Sequence, residues 1–269
     1  MSVTYPLGFR AGGIQAGLRT TPGLDLALIV NDGPADVVAG VFTTNRVCAA
    51  PVQWSRHATA DHKARAVIVN AAVANACTGI DGFVDCDITF SRVDSDACMS
   101  TNDTVVAMAS GASGISLTGD ELTDALTELC AILARQLVAD AEGSHHDVKV
   151  TVTGAISTEA AVAVAREVTR SNLVKTAIAG NDPNWGRILA AIGCVPENIA
   201  PFDPDQVDVS INDIQICKAG GIGEDRNLVD MRPREVHIDI ELHAGDAEAA
   251  VWTNDLTHQY VEENSEYTS

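Results

Sequence analysis

The sequence has few lysines, few aromatic side chains and no long apolar run. Its 17 basic residues, of which 4 are lysine, stand against 37 acidic residues, and the formal net charge is −20. A surface of this charge repels phosphate groups, so we expect neither a nucleic-acid partner nor an anionic membrane partner. No apolar run approaches the roughly 20 residues that cross a bilayer. The opening residues MSVTYPLGFR also lack the basic start and the apolar block of a secretory signal peptide.

Cysteine occurs, but not in a pattern that builds a disulfide framework or a zinc site. The 7 cysteines are an odd number, and no two of them form a Cys-x-x-Cys pair. We therefore interpret them as reduced, mostly buried small side chains of a cytoplasmic protein. They stand at positions 48, 77, 86, 98, 130, 194 and 217.

The acidic excess is mostly aspartate, which supplies 24 of the 37 acids. An aspartate-rich, lysine-poor surface suits a cytoplasm of high salt concentration, because screening there reduces the repulsion between like charges. The same composition also fits an acidic protein of an ordinary cytoplasm. The sequence leaves both interpretations open.

Local patterns predict strands that alternate with helices, which is typical of a mixed sheet covered by helices. Thr118 and Glu121 form a capping box before a leucine-rich helix, and Ser157 caps an alanine-rich helix that runs to about Arg170. The leucines at 122, 126, 129, 133 and 137 predict that one face of the first helix is packed. Strands are predicted at 24–30, 37–42, 65–70, 148–152 and 236–242, and a hairpin over 207–216 with its turn at Asn212-Asp213.

The stretch from Leu173 to Gly193 (LVKTAIAGNDPNWGRILAAIG) combines three local signals. Leu173 to Ala179 is an apolar run of strand length. Asp182 and Pro183 suit the cap and the first position of a helix. Trp185, Ile188, Leu189 and Ile192 then repeat at i, i+3, i+4 and i+7, and Gly193 ends the helix. The stretch therefore predicts a strand, a polar loop and a buried helix, an arrangement that often presents functional groups.

Two groups of side chains resemble metal ligands without completing a site. Asp94, Asp96 and Asp103 are close in sequence, but Val105 stands where a calcium loop needs its bidentate acid. His145 and His146 are adjacent, and adjacent side chains of a strand point to opposite faces. We therefore expect a solvated turn at the histidines and no bound metal at either group.

The longest of these motifs, KTAIAGNDPNWGRILAAIG, resembles the strand-loop-helix signature of the ornithine acetyltransferase family. Further stretches resemble the same family: GFRAGGIQAGL, DLALIV, AGVFTTNRVCAAPV and the final WTNDLTHQYVEENSEYTS. The resemblance covers residues 8–82 and 90–269. It implies an α/β fold with a four-layer helix/sheet/sheet/helix core of mixed sheets in residues 1–203. It also implies a small α/β domain in residues 204–269.

The resemblance implies an enzyme of arginine biosynthesis that moves acetyl from N-acetylornithine to glutamate. The family reaction passes through an acetyl-threonine and needs neither a metal nor another cofactor, and the family's assemblies imply a homodimer. The matching residues imply substrate-binding roles for Glu142, Asn264 and Ser269. The sequence adds one argument for Glu142. Asp140 and Glu142 follow a helix at the negative end of its dipole, which is unfavourable by some tenths of a kcal/mol each. This indicates that at least one of the two acids has another task.

The sequence departs from the family pattern in two places. Ala71-Ala72-Val73 stands where the family has Ser-Gly-Asn. Near residues 82–90 a long middle segment of the family is missing. That segment holds a Thr-Gly oxyanion pair, a substrate-contacting lysine and the Ala-Thr bond that the family cleaves in itself. No nucleophile can therefore be assigned, because a mid-chain hydroxyl lacks the α-amino base that self-cleavage would supply.

Three hypotheses follow. The first is an acetyltransferase of the family that is assisted in trans or is read from a truncated record of a longer gene. The second is a non-catalytic homologue that binds N-acetylornithine or an acidic amino acid, or pairs with an intact subunit. The third hypothesis is a deletion product that folds poorly. Without the family, a solvated acid at Glu142 and a frayed polar tail over the final WTNDLTHQYVEENSEYTS would be the default interpretations.

The interpretation of the acidic surface makes a prediction about salt. If the charge is adapted to high salt, the urea midpoint of unfolding will rise between low and molar potassium chloride, because screening weakens the repulsion within the folded state. Urea is the suitable denaturant, since guanidinium chloride is itself a salt. A midpoint that stays constant or falls would contradict this interpretation.

Overall fold

A computed structural model describes residues 2–17, 22–70, 92, 94–95, 100–117 and 119–266. The chain divides into two compact units, residues 1–88 with 99–127 and residues 89–98 with 128–268. Several sequence predictions concern residues outside the described ones: the loop at 71–79, the junction near 82–90, the capping threonine at 118 and Ser269.

The described residues of the first unit include two small antiparallel sheets and one complete helix. Its strands are β1 (Phe9–Ile14), β2 (Leu26–Asn31), β3 (Val37–Phe42), β4 (Ala66–Asn70) and β5 (Thr104–Ala109), and helix α1 spans Ala50–Ala58. One sheet has the order β1-β2-β4 and the other pairs β3 with β5. A small buried cluster of Cys48, Ala49 and Val52 packs with Phe42. The strands predicted at 24–30, 37–42 and 65–70 are confirmed to within two residues.

The second unit is built on a single six-stranded sheet. The division between the units falls within helix α2 (Gly119–Ala139). The elements that follow are β6 (Asp147–Ala155), α3 (Thr158–Arg170), α4 (Asn172–Ala179), α5 (Trp185–Ile192), β7 (Asp208–Ile211), β8 (Ile214–Lys218), β9 (Gly221–Ile222), β10 (Glu235–Glu241), β11 (Ala247–Asn254) and α6 (His258–Glu266). The strand order is β11-β6-β10-β7-β8-β9, and β6 and β10 are parallel while the other neighbours are antiparallel.

The core of this unit follows from alternation along the strands. Val148, Val150 and Val152 of β6 are buried, and so are Val236, Ile238 and Ile240 of the neighbouring β10. The intervening residues of β10 are exposed, as in a sheet with one face on the core and one face in water. Helix α3 packs on β6 and β11, and helix α5 packs on α3. Ser157 caps α3 as predicted, since its hydroxyl accepts from the amide of Ala160 at 3.1 Å.

The hairpin prediction is confirmed. β7 and β8 are joined at Asn212 and Asp213, which have φ of +46° and +68°. Two successive positive φ angles twist the chain as a two-residue hairpin requires, and asparagine and aspartate tolerate them better than most residues.

The domain boundary predicted between residues 203 and 204 is not where the described chain divides. β6 lies before that boundary, yet it pairs with β10 and β11, which lie after it. One hydrogen-bonded sheet with a shared core therefore spans the predicted boundary. The three prolines of residues 196–205 mark a connection within one unit.

Residues 173–179 were predicted as a strand and are helical. Ser171 caps helix α4 by accepting from the amide of Val174 at 3.3 Å, and Val174, Ala177 and Ile178 are buried. These three positions have helical spacing, and a short, mostly apolar stretch does not by itself distinguish the two structures. The next helix is capped by Asn184, whose side chain accepts from the amide of Arg187, rather than by Asp182. Its predicted apolar face is confirmed, because Ile188 and Ile192 are buried.

The leucine-rich helix packs by a different face from the one predicted. In α2 the buried residues are Cys130, Ala134 and Val138, whereas Leu137 is 57 % exposed. Leu122, Leu129 and Leu133 are exposed as well. The buried residues repeat every four positions and so form a stripe on the helix beside the leucines: Cys130, Ala134 and Val138. Because these side chains are smaller than leucine, the helix can pack closer to the residues that bury it.

The cysteine prediction holds for most of the described cysteines. Cys48, Cys130 and Cys217 are buried, Cys194 is exposed, and all four are free thiols. Burial raises the pKa of the Cys217 thiol, and the charge of Asp208 raises it further. A protonated, buried thiol is chemically inert. In the described part of the chain, no helix is both long and apolar enough to span a bilayer.

Candidate functional site

Two of the three substrate-binding residues implied by the family resemblance lie in direct contact. The side-chain amide of Asn264 donates to Glu142 Oε2 at 2.9 Å and to the backbone carbonyl of Tyr260 at the same distance. Both Glu142 and Asn264 are exposed, so a small molecule in solution can reach them. A carboxylate beside a carboxamide offers acceptors for an ammonium group and a donor for a carboxylate. The third residue, Ser269, lies outside the described residues.

Glu142 is held by the tight turn that follows α2. The next residue, Gly143, has φ of +60°, a backbone conformation that glycine adopts without strain. A Cβ atom at this position would come within 2.3 Å of the backbone nitrogen of Tyr260. The turn that carries Glu142 therefore lies in backbone contact with the first turn of α6, the helix that carries Asn264.

A threonine at the start of α6 bonds to the same turn. The hydroxyl of Thr257 accepts from the amide of Tyr260 at 3.1 Å, as helix-capping residues do, and donates to the carbonyl of Gly143 at 2.7 Å. Thr257 is 8 % exposed. The polar tail does not fray over residues 258–266, which form a helix.

A buried aspartate anchors the residues that follow the turn. Asp255 Oδ1 accepts from the amides of His145 and His146 at 2.9 and 3.1 Å, and Asp255 Oδ2 lies 2.8 Å from His146 Nδ1. The other ring nitrogen of His146 lies 3.0 Å from the carbonyl of Met231. The expected solvated turn at the histidines is therefore wrong for His146, which is buried and bonded through both ring nitrogens.

The segment that supplies the Met231 carbonyl has its own ion pair. Both carboxylate oxygens of Asp230 accept from the guanidinium of Arg232 at 2.8 Å. These bonds lower the pKa of Asp230 to about 2. The pair therefore persists through the mildly acidic range. Whatever stability it contributes is fully present above the ordinary pKa of 3.8 and is lost progressively as the pH falls from there through about 2.

A second buried polar cluster lies in the same unit around Lys175, within the signature stretch. Its ammonium group donates to the carbonyl of Ser95, to Asn254 Oδ1 at 3.1 Å and to Thr253 Oγ1 at 3.3 Å. Asp94 precedes Ser95, is buried and accepts from Arg170 at 2.7 Å. Asp94 thus contributes to an internal ion pair.

Sequence reasoning identified Glu142 and Asn264 but missed the residues that hold them together. A local signal existed for Thr257, since threonine just before a helix is a common cap. The contact between Asp255 and His146 has no local signal, because the two residues are separated by more than one hundred positions of the chain. Only the tertiary fold brings them together.

The fold and the site describe a mixed α/β protein with a polar, solvent-accessible pair of side chains suited to an amino-acid ligand. The sequence model of the ArgJ family matches residues 10–89 and residues 84–269. The chain therefore belongs to the ArgJ family, which confirms the resemblance drawn from the sequence motifs.

Similar proteins agree with this assignment. The arginine biosynthesis bifunctional protein ArgJ of Bifidobacterium longum is 40 % identical over 391 aligned residues, which cover 100 % of both chains. The protein of the same name from Thermobifida fusca is 36 % identical over 386. The crystal structure of ArgJ from Bacillus halodurans matches with a TM-score of 0.61 and 35 % identity, covering 66 % of this chain and 87 % of that one.

The alignment shows that the chain is shortened relative to these proteins. An alignment of 391 positions cannot be filled by 269 residues, so at least 122 of its positions (391 less 269) have no residue of this chain opposite them. The family model matches in two segments that meet at residues 84–89.

The Lys175 cluster yields a prediction about stability. Replacing Lys175 with methionine keeps the length of the side chain but removes the donor to Asn254, which is 2 % exposed. A buried acceptor without a donor costs about 1–3 kcal/mol, and urea unfolding should show a loss of that size. The matched control is Lys218→Met, at an exposed lysine, which should change the free energy of unfolding by less than about 0.5 kcal/mol. Equal losses in the two variants would contradict the assigned role of Lys175.

Proposed function

We propose that the chain serves acetyl transfer from N-acetylornithine to glutamate in arginine biosynthesis, and that its own part is to bind the amino-acid substrate. The main support for this proposal is the hydrogen bond between Asn264 and Glu142. The family resemblance implies substrate-binding roles for both residues. Family membership supports the pathway, since the similar proteins are named for arginine biosynthesis.

The charge around this pair favours a ligand with a free ammonium group. Glu142 is a carboxylate, and α6 carries three further exposed acids, Glu262, Glu263 and Glu266. N-acetylornithine presents a side-chain ammonium, which would pair with Glu142. It also presents a carboxylate, to which the Asn264 amide can donate once it exchanges its bond to Glu142 for one to the ligand. The same negative field disfavours a ligand whose side chain is acidic.

Turnover by the chain alone is not part of the proposal. In the family reaction the attacking group is an N-terminal threonine, whose α-amino group, with a pKa near 8, takes the hydroxyl proton. We infer that the unfilled alignment positions include this threonine and the oxyanion donors, since the two matched segments meet where the middle segment would stand. One oxyanion donor alone is typically worth about 10²–10³ in rate.

The proposal carries with it the finer features that the resemblance implies. These are a cytoplasmic location, a homodimer and the four-layer arrangement of helices and sheets. None of them is needed for the binding experiment.

Calorimetry with two matched ligands tests the proposal. N-acetylornithine should bind, and N-acetylglutamate, which carries a carboxylate in place of the ammonium group, should bind at least several-fold more weakly. Glu142→Gln should weaken N-acetylornithine binding by up to about tenfold, because a charge-assisted bond is lost at a solvent-accessible site. The control is Glu263→Gln. It removes one negative charge, as Glu142→Gln does, but from α6, and it leaves the Glu142–Asn264 contact in place. It should change the affinity by no more than about twofold.

Two outcomes would contradict the proposal. One is equal binding of both ligands, with Glu142→Gln and Glu263→Gln behaving alike. The other is no heat from N-acetylornithine together with a non-cooperative thermal transition, which would leave the hypothesis of a damaged remnant.

A further inference from the structure

We propose that Thr257 is a positioning residue. Its hydroxyl fixes the turn that carries Glu142 against the helix that carries Asn264, so that the two side chains are already in place before the ligand binds. The inference rests on the proposed function for the identity of the ligand, N-acetylornithine. The contacts that carry it are independent of any ligand.

The two bonds of Thr257 lock its hydroxyl in one orientation. The amide of Tyr260 can only donate and the carbonyl of Gly143 can only accept, so the single hydroxyl hydrogen must point to Gly143. Gly143 is the residue next to Glu142. One hydroxyl therefore caps α6 and restrains the backbone beside the acidic partner of the pair.

The helix carries this restraint to Asn264. Thr257 and Asn264 are seven residues apart, which is close to two turns of α-helix, so they lie on the same side of α6. The Asn264 amide also donates to the carbonyl of Tyr260, the residue whose amide bonds to Thr257. Glu142 is thus covalently linked to Gly143, and Asn264 is hydrogen-bonded to Tyr260. Gly143 and Tyr260 are the two residues to which Thr257 bonds.

The turn at Gly143 approaches α6 closely. A single added carbon at Gly143 would meet the backbone of Tyr260 at 2.3 Å and that of Gln259 at 2.8 Å. The turn and the helix are therefore already in backbone contact. Their relative register then depends on the polar bonds between them.

The contacts of Asp255 allow the positioning role of Thr257 to be distinguished from a role in folding. It holds the amides of His145 and His146 independently of Thr257. Removing the Thr257 hydroxyl should therefore leave the segment attached while freeing the turn at Gly143 and Glu142 to rotate. Ordering that turn upon binding would then cost part of the affinity.

Three variants test the proposal. Thr257→Val keeps the shape and removes the hydroxyl, whereas Thr257→Ser restores it. The matched control is Thr153→Val, which removes a partly buried hydroxyl that donates to Glu241 at 2.6 Å, within the same unit. Calorimetry should show N-acetylornithine binding weakened about tenfold in Thr257→Val and within about twofold of the parent in the other two variants.

Hydrogen–deuterium exchange without ligand gives the readout that distinguishes this proposal from the proposed function. Exchange at residues 142–144 and 258–264 should quicken in Thr257→Val but not in Thr153→Val, while the amides of His145 and His146 stay protected by Asp255. If the parent binds no N-acetylornithine, the proposed function fails, and this exchange pattern still decides whether Thr257 positions the pair. Affinity and exchange in Thr257→Val that match those of Thr153→Val would overturn the proposal.

The parent protein provides a check that needs no variant. The amide of Tyr260 lies in the first turn of α6, where backbone donors have no partner within the helix. The bond to Thr257 predicts that this amide is protected from exchange. Rapid exchange at Tyr260 in the parent would overturn the proposal even if Thr257→Val failed to fold.

Discussion

The buried carboxylate of Asp255 is the constraint around which the candidate site is arranged. A charge taken out of water is costly unless donors surround it, and Asp255 has two backbone amides and the ring of His146. These donors belong to the segment before β6, whereas Asp255 follows β11. Satisfying one carboxylate therefore joins two distant parts of the chain, and Glu142 and Asn264 lie just beyond the joined residues.

The candidate site flanks the part of the chain that forms the large sheet. All six strands of the large sheet come from residues 147–254, and the helices that cover its core come from the same part of the chain. The two family segments meet at residues 84–89, well before this region. The sheet is therefore complete without the missing positions. The first unit has a much smaller buried cluster, built from Cys48, Ala49 and Val52.

Much of the second unit could be predicted from local patterns, because its strands alternate cleanly and its turn and cap residues have specific conformational preferences. Asn212-Asp213 and Ser157 are examples. The failures have physical causes. Residues 173–179 are an apolar run that suits either a strand or a helix, and the packed face of α2 was decided by small residues rather than by leucine. The Asp255–His146 contact depends on tertiary structure alone, so the family resemblance pointed to Glu142 and Asn264 but not to the residues that support them.

We propose that the chain retains the residues that bind the amino-acid substrate and lacks the threonine that attacks it. The most direct measurement is the intact mass of the purified chain after incubation with N-acetylornithine and glutamate, with the release of ornithine assayed in the same sample. Our account predicts one unbroken chain with no added acetyl group and no ornithine released. A cleaved chain, or an acetylated threonine that forms as ornithine is released, would contradict it.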